Sequence, residues 1–305
     1  MLTLISKNRR ALAKALSEVE NALSCPTWYE EIYKNSGHAK IIGITGAPGA
    51  GKSSLINLLA KEFRTKSMRV AILAIDPSSP FSGGAILGDR TRMVLSAEDE
   101  GVFIRSSASR GRLGGLSPKT FEMIHVLDAA KFDIIIVETV GVGQAEMDIM
   151  KCAHLVALVL SPHTGDGMQA LKAGILEIAD LFILNKSDLL GMNELEKDLL
   201  SSLMLAPEVK TIMKTSTYKN EGIKELCNKL LEIHESLNKN GEIKQRVDNS
   251  LLFEFSFNLR EALLLTLEKE NKMAKKISAL ENQIKTKEKS PQKCVSEVLE
   301  MLDRK

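Results

Sequence analysis

The sequence predicts an α/β protein whose core is a doubly wound, mostly parallel sheet, extended by helical segments at both ends. The first observation is that short apolar runs alternate, through residues 39–237, with stretches whose apolar residues recur at helical spacing. The second is composition: 305 residues, 44% apolar and 26% charged, suit one domain of about 200 residues with helical additions. We therefore expect an N-terminal helical segment at 1–38, the α/β domain at 39–237 and a C-terminal helical segment at 238–305.

The first predicted element is an amphipathic helix at residues 9–23. Its apolar residues are spaced by four, three and four positions, with charged residues on the other face: Leu12, Leu16, Val19 and Leu23. The spacing breaks in the segment from Cys25 to His38, which leads into the first strand. We expect this helix to pack against the α/β domain.

A glycine-rich loop follows the first predicted strand, at 41–44, and opens a predicted helix at 54–63. Residues 46–53 read Gly-Ala-Pro-Gly-Ala-Gly-Lys-Ser, which fits the pattern G-x-x-x-x-G-K-[ST]. Glycines let consecutive backbone N–H groups wrap a phosphate, the lysine reaches the terminal phosphates, and the serine hydroxyl can bind Mg²⁺. The pattern predicts a nucleotide site with these contacts: Gly46, Ala47, Gly49, Ala50, Gly51, Lys52, Ser53 and Ser54.

Two acidic residues follow the second predicted strand, at 69–75. Asp76 comes directly after that strand, and Asp89 lies farther along the same glycine- and serine-rich loop. The carboxyl end of a parallel strand faces the ligand, and Mg²⁺ takes one or two carboxylates beside phosphate oxygens. Both acids are therefore candidate metal ligands, while a plain Asp-Pro turn at 76–77 stays open as the alternative.

An acidic residue also follows the buried-type strand at 133–137, which comes after a short third strand at 102–105. Glu138 comes directly after the 133–137 strand, and Gly141 follows three residues later. In P-loop nucleotidases an acid in this place positions Mg²⁺ or a water, and the glycine N–H senses the γ-phosphate. We therefore expect Glu138 and Gly141 to form a nucleotide-dependent switch.

A second motif indicates which base the site binds. Asn185, Lys186 and Asp188 form N-K-x-D directly after a predicted strand at 181–184. A carboxylate can accept hydrogen bonds from both the ring N1–H and the exocyclic amine of guanine. Adenine has no such pair of donors. The motif therefore predicts specificity for guanine.

The rest of the domain is expected to close the base pocket. A strand at 155–160 precedes the N-K-x-D motif, and a final strand at 209–213 leads to Ser216 and Thr217. These two residues stand where a guanine-binding loop usually covers the base. A helix at 222–235 then completes the α/β unit.

From Leu251 onward the pattern changes to one long helix. Its apolar residues recur at steps of three and four and form a broad face that includes Leu252, Phe255, Leu259 and Leu263. A helix outside the sheet needs a partner for such a face, either the chain's own N-terminal helix or a second subunit. We expect a homodimer.

Composition argues against several classes of protein. A net charge of +2 gives no indication of a nucleic acid or a membrane as partner. No stretch approaches 18 apolar residues, and the start lacks a signal-peptide core. The four cysteines are too isolated for a disulfide framework or a C-x-x-C motif: Cys25, Cys152, Cys227 and Cys294. We expect a cytoplasmic protein, with a removed organellar presequence as the alternative.

Together these motifs resemble those of the MeaB/ArgK family of GTPases. The resemblance rests on five stretches: 46–54, 74–79 with Gly83-Gly84, 88–93, 138–144 and 185–188. It implies a P-loop GTPase domain that binds GTP or GDP with Mg²⁺. Carried over by position, the residues around Mg²⁺ are Ser53, Asp76, Asp89 and Glu138. Lys52 then contacts the phosphates, and Lys172 lies on an additional switch segment that responds to a partner.

The resemblance further implies a homodimeric metallochaperone for an adenosylcobalamin-dependent acyl-CoA mutase of the methylmalonyl-CoA mutase type. Such a protein gates cobalamin loading and protects or reactivates the mutase, with GTP hydrolysis as the switch. Because Val142 rather than a water-orienting glutamine follows Gly141, we expect slow turnover that the partner stimulates. The alternatives are a GTPase for metal insertion into a nickel enzyme, a P-loop small-molecule kinase and a nucleotide-gated scaffold without turnover.

Overall fold

The fold is that of a computed structural model of the chain. It describes residues 1–22, 26–76, 99–108, 116, 118–139, 147–162, 175–204 and 210–269, with short stretches between 276 and 298. These residues belong to two compact units, Met1–Leu251 and Leu252–Lys305. The first unit contains the sheet and both nucleotide-binding motifs.

The first unit is built on a seven-stranded parallel sheet with the strand order β3-β2-β4-β1-β5-β6-β7. The strands are β1 Lys40–Thr45, β2 Val70–Asp76, β3 Val102–Ala108, β4 Ile134–Thr139, β5 Leu155–Leu160, β6 Leu181–Asn185 and β7 Thr211–Thr215. Strands β4 and β5 are buried along their whole length, as expected of parallel strands covered on both faces. The predicted doubly wound parallel sheet is confirmed.

The helices lie before, between and after the strands. They are α1 Leu2–Lys7, α2 Arg9–Asn21, α3 Tyr29–Lys34, α4 Lys52–Thr65, α5 Pro118–Ala129, α6 Ile175–Ile178, α7 Met192–Leu203, α8 Ile223–Lys239 and α9 Glu242–Lys269, with a 3₁₀ turn at Ile149–Lys151. Among the residues described, none of these helices is long and apolar enough to cross a membrane.

The core has two layers because alternate strand residues point to opposite faces of the sheet. On one face, β1 and β5 pack against α4 and α8 through residues that include Ile42, Ile44, Leu59, Phe63, Val159, Leu226 and Leu230. On the other face, β5 and β6 pack against α7 through Leu158, Leu160, Phe182, Leu195 and Leu199. Each such side chain contributes about 1.5 to 3 kcal/mol of hydrophobic stabilisation when fully buried.

An ion pair attaches the N-terminal helix α2 to the sheet. Glu20, near the end of α2, pairs with Arg105 of β3 and accepts a hydrogen bond of 2.8 Å from the Ser107 hydroxyl. The start of α2 is capped by Asn8, whose side-chain oxygen accepts from the backbone N–H groups of Arg10 and Ala11. The predicted helix at 9–23 therefore packs on the domain, and it ends at Asn21 because Ala22 is extended.

Other segments also differ from the sequence-based expectation. Strand β3 continues to Ala108, and β7 is shifted to Thr211–Thr215. The segment predicted to be irregular contains α3, which is too short for a periodic pattern to reveal it. Strand β4 continues through Thr139, so Glu138 lies inside the strand. The long C-terminal helix begins at Glu242 rather than near Leu251, because Gly241 at φ 78° separates it from α8.

Candidate nucleotide site

The glycine-rich loop connects β1 to α4 at the carboxyl end of the central strand. Gly46 has φ 139°, and a Cβ atom there would lie 2.2 Å from the carbonyl oxygen of Val159. Only glycine therefore fits between the loop and β5. Gly51 is in the left-handed region at φ 89° and caps the N-terminus of α4, where unpaired backbone N–H groups favour an anion.

The ammonium group of Lys52 lies against the loop. Its Nζ donates to the carbonyl oxygens of Gly46, at 2.6 Å, and Ala47, at 3.0 Å. The side chain is only 6% exposed, although it carries a charge. These contacts fix a buried positive charge beside the N-terminus of α4, which is suited to binding phosphate.

Ser53 and Glu138 meet at the end of the central strands. The Ser53 hydroxyl donates to the Glu138 carboxylate at 2.9 Å, and Glu138 is 2% exposed. Beside them, the Thr139 hydroxyl donates to the Thr45 hydroxyl at 2.9 Å. A hydroxyl and a carboxylate are oxygen ligands of the kind that Mg²⁺ prefers, so this pair fits the metal that the motifs imply.

The N-K-x-D motif lies at the end of β6, close to the glycine-rich loop. The Asn185 amide donates to the carbonyl oxygen of Ala50 at 2.9 Å, and its oxygen accepts from the Thr215 hydroxyl at 3.2 Å. Lys186 Nζ donates to the carbonyl oxygen of Gly49 at 2.6 Å. The two predicted binding motifs are therefore in direct contact.

Asp188 is held by the loop that follows β7. The Ser216 hydroxyl donates to the Asp188 carboxylate, and Ser216 itself is anchored by reciprocal backbone hydrogen bonds of 3.0 Å with Glu221. The hydrogen bond from Ser216, and then the positive charges of Lys219 and Lys186, hold the pKa of the Asp188 carboxyl below its usual range. The carboxylate is thus kept ionised, as an acceptor for two donors must be.

For the remaining predicted site residues, the structure describes the position only in part or not at all. Ser54 is exposed on the first turn of α4, and Thr217 is half-buried beside Ser216. Asp76 is the last residue of β2, next to β4 in the sheet, but its side chain lies outside the described part of the chain. Three predicted residues lie wholly outside the described ranges: Asp89, Gly141 and Lys172.

Two kinds of contact at this site were not predicted from the sequence. One is made by Thr45, whose hydroxyl accepts a hydrogen bond from the Thr139 hydroxyl between two neighbouring strand ends. The other is made by the loop carbonyls: the loop was expected to supply only N–H donors, but the carbonyls of Gly49 and Ala50 accept hydrogen bonds from the base motif. The available signal was the position of both threonines at the ends of buried apolar runs.

Comparison with known protein families identifies the group to which this arrangement belongs. A family model described as methylmalonyl Co-A mutase-associated GTPase MeaB matches residues 12–272. The chain belongs to the MeaB family. The family predicted from the motifs is thereby confirmed, and the chain is a GTPase that binds guanine nucleotide.

Relatives of this MeaB-family chain occur in archaea and animals. A protein of Pyrococcus abyssi named as a GTPase is 47% identical over 250 residues, which are 78% of this chain and 76% of the relative. The mitochondrial methylmalonic aciduria type A homolog of Caenorhabditis elegans is 32% identical over 313 residues, or 95% of this chain and 78% of the relative. Its mouse counterpart is 35% identical over 245 residues, covering 77% of this chain and 58% of the relative.

Solved structures support the MeaB-family fold. The crystal structure of a LAO/AO transport system kinase has a TM-score of 0.73 at 23% identity and covers 99% of this chain and 96% of its own. HypB from Helicobacter pylori in complex with nickel has a TM-score of 0.52 at 18% identity, covering 74% of this chain and 96% of its own. At these identities the likeness establishes the fold alone.

Proposed function

We propose that this GTPase is a nucleotide-driven chaperone for an adenosylcobalamin-dependent acyl-CoA mutase of the methylmalonyl-CoA mutase type. The observation that carries the proposal is the match of residues 12–272 to the family described as methylmalonyl Co-A mutase-associated. Animal relatives named methylmalonic aciduria type A homologs support the same metabolic setting. In this role GTP binding and hydrolysis gate cobalamin loading and protect or reactivate the mutase.

The proposed site binds GTP through two sets of residues. Lys52 and the backbone N–H groups of Gly46, Ala47 and residues 49–54 hold the phosphates, and Gly141 N–H senses the γ-phosphate. Asn185, Lys186 and Asp188 bind guanine, with Ser216 and Thr217 covering the base. The oxygen ligands proposed for Mg²⁺, which would neutralise phosphate charge, are Ser53, Asp76, Asp89 and Glu138.

In the reaction, water attacks the γ-phosphorus of GTP and the bond to the β-phosphate oxygen breaks, which gives GDP and phosphate. Lys52 stabilises the charge that develops on the leaving oxygen. Val142 follows Gly141 and has no polar group with which to orient the water. We infer slow turnover by the protein alone and acceleration when the partner acts on the switch segment that contains Lys172.

We propose that the protein is a homodimer that forms through α9. Leu252, Phe255, Leu259 and Leu263 recur along one side of this helix, and Leu252 and Phe255 are each 65% exposed. Four large apolar side chains on one stripe are costly to leave in water. Leu259→Glu should convert a dimer to a monomer in sedimentation analysis. Asn258→Glu, on another side of the helix, should leave the dimer intact.

The deciding experiment measures GTP turnover by the purified protein alone and with the mutase from the same organism, with ATP as control. Stimulation by the mutase, together with nucleotide-dependent co-elution, is the expected result. Turnover that is fast alone and unchanged by the mutase would contradict the proposal. Tight stoichiometric nickel binding or phosphoryl transfer to a metabolite would instead support the nickel-insertion or kinase hypothesis.

A further inference from the structure

A second cavity lies at the amino ends of the strands, at the opposite end of the sheet from the nucleotide site. It has a volume of about 540 Å³ and lies where α1 and α2 meet the amino ends of β2 and β3. Ligand pockets commonly have volumes of about 300 to 1,000 Å³. Among the described residues, four basic side chains line it, and they come from two separate parts of the chain: Lys7 with Arg9, and Arg64 with Arg69.

Two of these guanidinium groups are held in place by backbone carbonyl groups. Arg69 donates to the carbonyl oxygens of Ala130, at 2.8 Å, and Lys131, at 3.1 Å. Arg64 donates to the carbonyl oxygen of Met68 at 3.0 Å. Because these contacts fix the side chains before any ligand arrives, less conformational entropy is lost on binding.

Glycine and aromatic rings also shape the cavity around its cations. A Cβ atom on Gly101 would lie 2.0 Å from Arg64 Cζ, so the guanidinium occupies the space of the missing side chain. Arg9 lies over the ring of Phe103 and Arg69 over the ring of Phe132, at 5.8 and 4.5 Å from the ring centroids. Cation–π contacts of this kind orient the guanidinium planes and leave their edges able to donate.

Positive charge at this cavity is only partly compensated. Asp99 pairs with Arg64 at 3.0 Å, and among the residues that the structure describes, Glu100 is the acidic residue that lines the cavity. Within the described parts of the chain, Lys7, Arg9 and Arg69 have no carboxylate within 4.0 Å of their charged nitrogens. Asp133 also lies close to Arg69, whose backbone N–H donates to the Asp133 carboxylate at 2.7 Å. Among the described residues, four cations therefore face three carboxylates, and a small positive excess remains. Burial lowers the pKa of Arg69; the charge of Asp133 opposes this shift and the charge of Arg64 adds to it.

We propose that this cavity binds a small anion that carries at least two phosphate groups. Arginine forks match phosphate oxygens in paired hydrogen bonds, and cations that come from two sides of the cavity can contact two linked phosphate groups at once. Phe103, Ile5 and Leu12 add an apolar wall, which gives room for an organic part. The site is separate from the GTP pocket, because it lies at the amino ends of the strands rather than at their carboxyl ends.

The test titrates pyrophosphate, and separately ADP, into protein saturated with GDP and with Mg²⁺ in excess of all phosphates. Calorimetry should detect binding of at least one of them with a Kd below about 1 mM. Tighter binding of ADP would assign the ligand to organic diphosphates, and tighter binding of pyrophosphate would assign it to inorganic ones. Absence of binding by both would overturn the proposal.

Variants locate the binding to this cavity. Arg9→Gln and Arg69→Gln should each weaken binding by about tenfold or more, and Glu100→Gln should strengthen it several-fold. Arg10→Gln is the matched control, because Arg10 is exposed on the same turn of α2 but does not line the cavity. Arg9→Gln and Glu100→Gln change exposed side chains, so they test the proposal even if Arg69→Gln unfolds.

Two results would show that the anion does not bind in this cavity. Equal weakening in Arg9→Gln and Arg10→Gln would mean that the anion does not bind in the cavity. Loss of mutase binding in Arg9→Gln, with pyrophosphate and ADP unaffected, would assign the cavity to a protein partner. GDP affinity, measured with a fluorescent analogue, should be the same in all four variants, because none of the residues contacts the GTP pocket.

Discussion

Asn185 connects the two halves of the nucleotide site. Its amide nitrogen donates to a carbonyl of the glycine-rich loop, and its oxygen accepts from Thr215 at the end of β7. Both ends of the amide are thus fixed, and the side chain is fully buried. The residue therefore has a structural effect on the phosphate loop beyond any contact that it makes with guanine. Alanine substitutions of two glycines in that loop, Gly49 and Gly51, allow this effect to be measured separately from backbone strain.

Gly51→Ala should destabilise the nucleotide-free protein more than Gly49→Ala. Both residues are in the left-handed region, at φ 89° and φ 79°, so both variants incur strain of about 1 to 2 kcal/mol. A Cβ on Gly51 would also lie 2.5 Å from the Asn185 amide nitrogen, whereas one on Gly49 has no neighbour within 4 Å among the described residues. We expect Gly51→Ala to lose about 3 kcal/mol or more in urea denaturation. Equal losses would contradict the proposed contact.

Asp188→Asn should change the base that the protein binds. The variant replaces one acceptor oxygen with a donor, so one guanine N–H group loses its acceptor while the C2 carbonyl of xanthine gains a donor. We expect GDP affinity to fall about 100-fold and affinity for xanthosine diphosphate to rise. Ser216→Ala is the control, because it removes the hydrogen bond to Asp188 but keeps the carboxylate. A gain for xanthosine diphosphate in both variants would contradict this account.

At the scale of elements, Asp128 of α5 fixes the start of the central strand. Its carboxylate accepts from three consecutive backbone N–H groups, those of Gly37, His38 and Ala39, at 2.7 to 3.2 Å. The side chain is 3% exposed. This contact spans about 90 positions of the chain and belongs to no motif, which is why sequence analysis gave Asp128 no role.

Asp128→Asn should lower the free energy of unfolding by about 2 to 3 kcal/mol, because hydrogen bonds to a charged acceptor are replaced by weaker ones and one oxygen becomes a donor. Urea denaturation measures the loss. Asp198→Asn, on the exposed side of α7, should change stability by less than about 0.5 kcal/mol. GTP turnover should survive in both variants, since residues 37–39 precede the amino end of β1. Similar stability in both would show that the Asp128 contacts contribute little.

How far each element could be predicted depends on how local its cause is. Strand β5 was predicted with its observed bounds because a buried parallel strand is a continuous apolar run. Helix α3 was missed because six residues are too few for a periodic pattern. The phosphate and base motifs are contiguous and were recognised, but the bond from Lys186 to Gly49 joins residues 137 positions apart. Such a contact follows from strand order, which no local pattern encodes.

At the scale of the whole molecule, the two ends of the parallel strands carry different chemical groups. At the carboxyl ends, residues of the phosphate and base motifs are joined by hydrogen bonds: Ser53 donates to Glu138, Asn185 to Ala50, and Lys186 to Gly49. The amino ends hold three histidines that are buried or half-buried, as well as the cationic cavity. His154, beside the start of β5, has its Nδ1 within 3.4 Å of His234 Nε2 on α8. His125 of α5 is bonded through Nδ1 to the hydroxyl of Tyr29, at 2.7 Å.

These histidines should make the fold sensitive to acid. Burial lowers the pKa of His125, His154 and His234 to about 4, and nearby positive charges add to the effect at His154 and His234. In the unfolded chain each pKa returns to about 6.5. Between these values the unfolded chain binds protons that the folded protein does not. The free energy of unfolding should therefore fall as the pH decreases from about 6.5 to about 4, by about 1.4 kcal/mol per pH unit for each such histidine.

His154→Gln tests this prediction, because glutamine keeps a hydrogen-bond acceptor but cannot be protonated. Urea denaturation at several pH values should give a dependence on pH that is weaker than in the parent protein by about one proton. His38→Gln is the matched control, since His38 is exposed just before the amino end of β1. This variant should leave the dependence of stability on pH unchanged. If both variants kept the parent slope, the acid sensitivity would come from carboxylates such as Asp188, whose lowered pKa also favours the fold at neutral pH. A reduced slope in His154→Gln alone would mean that histidines kept neutral by partial burial limit the stability of this fold in acid.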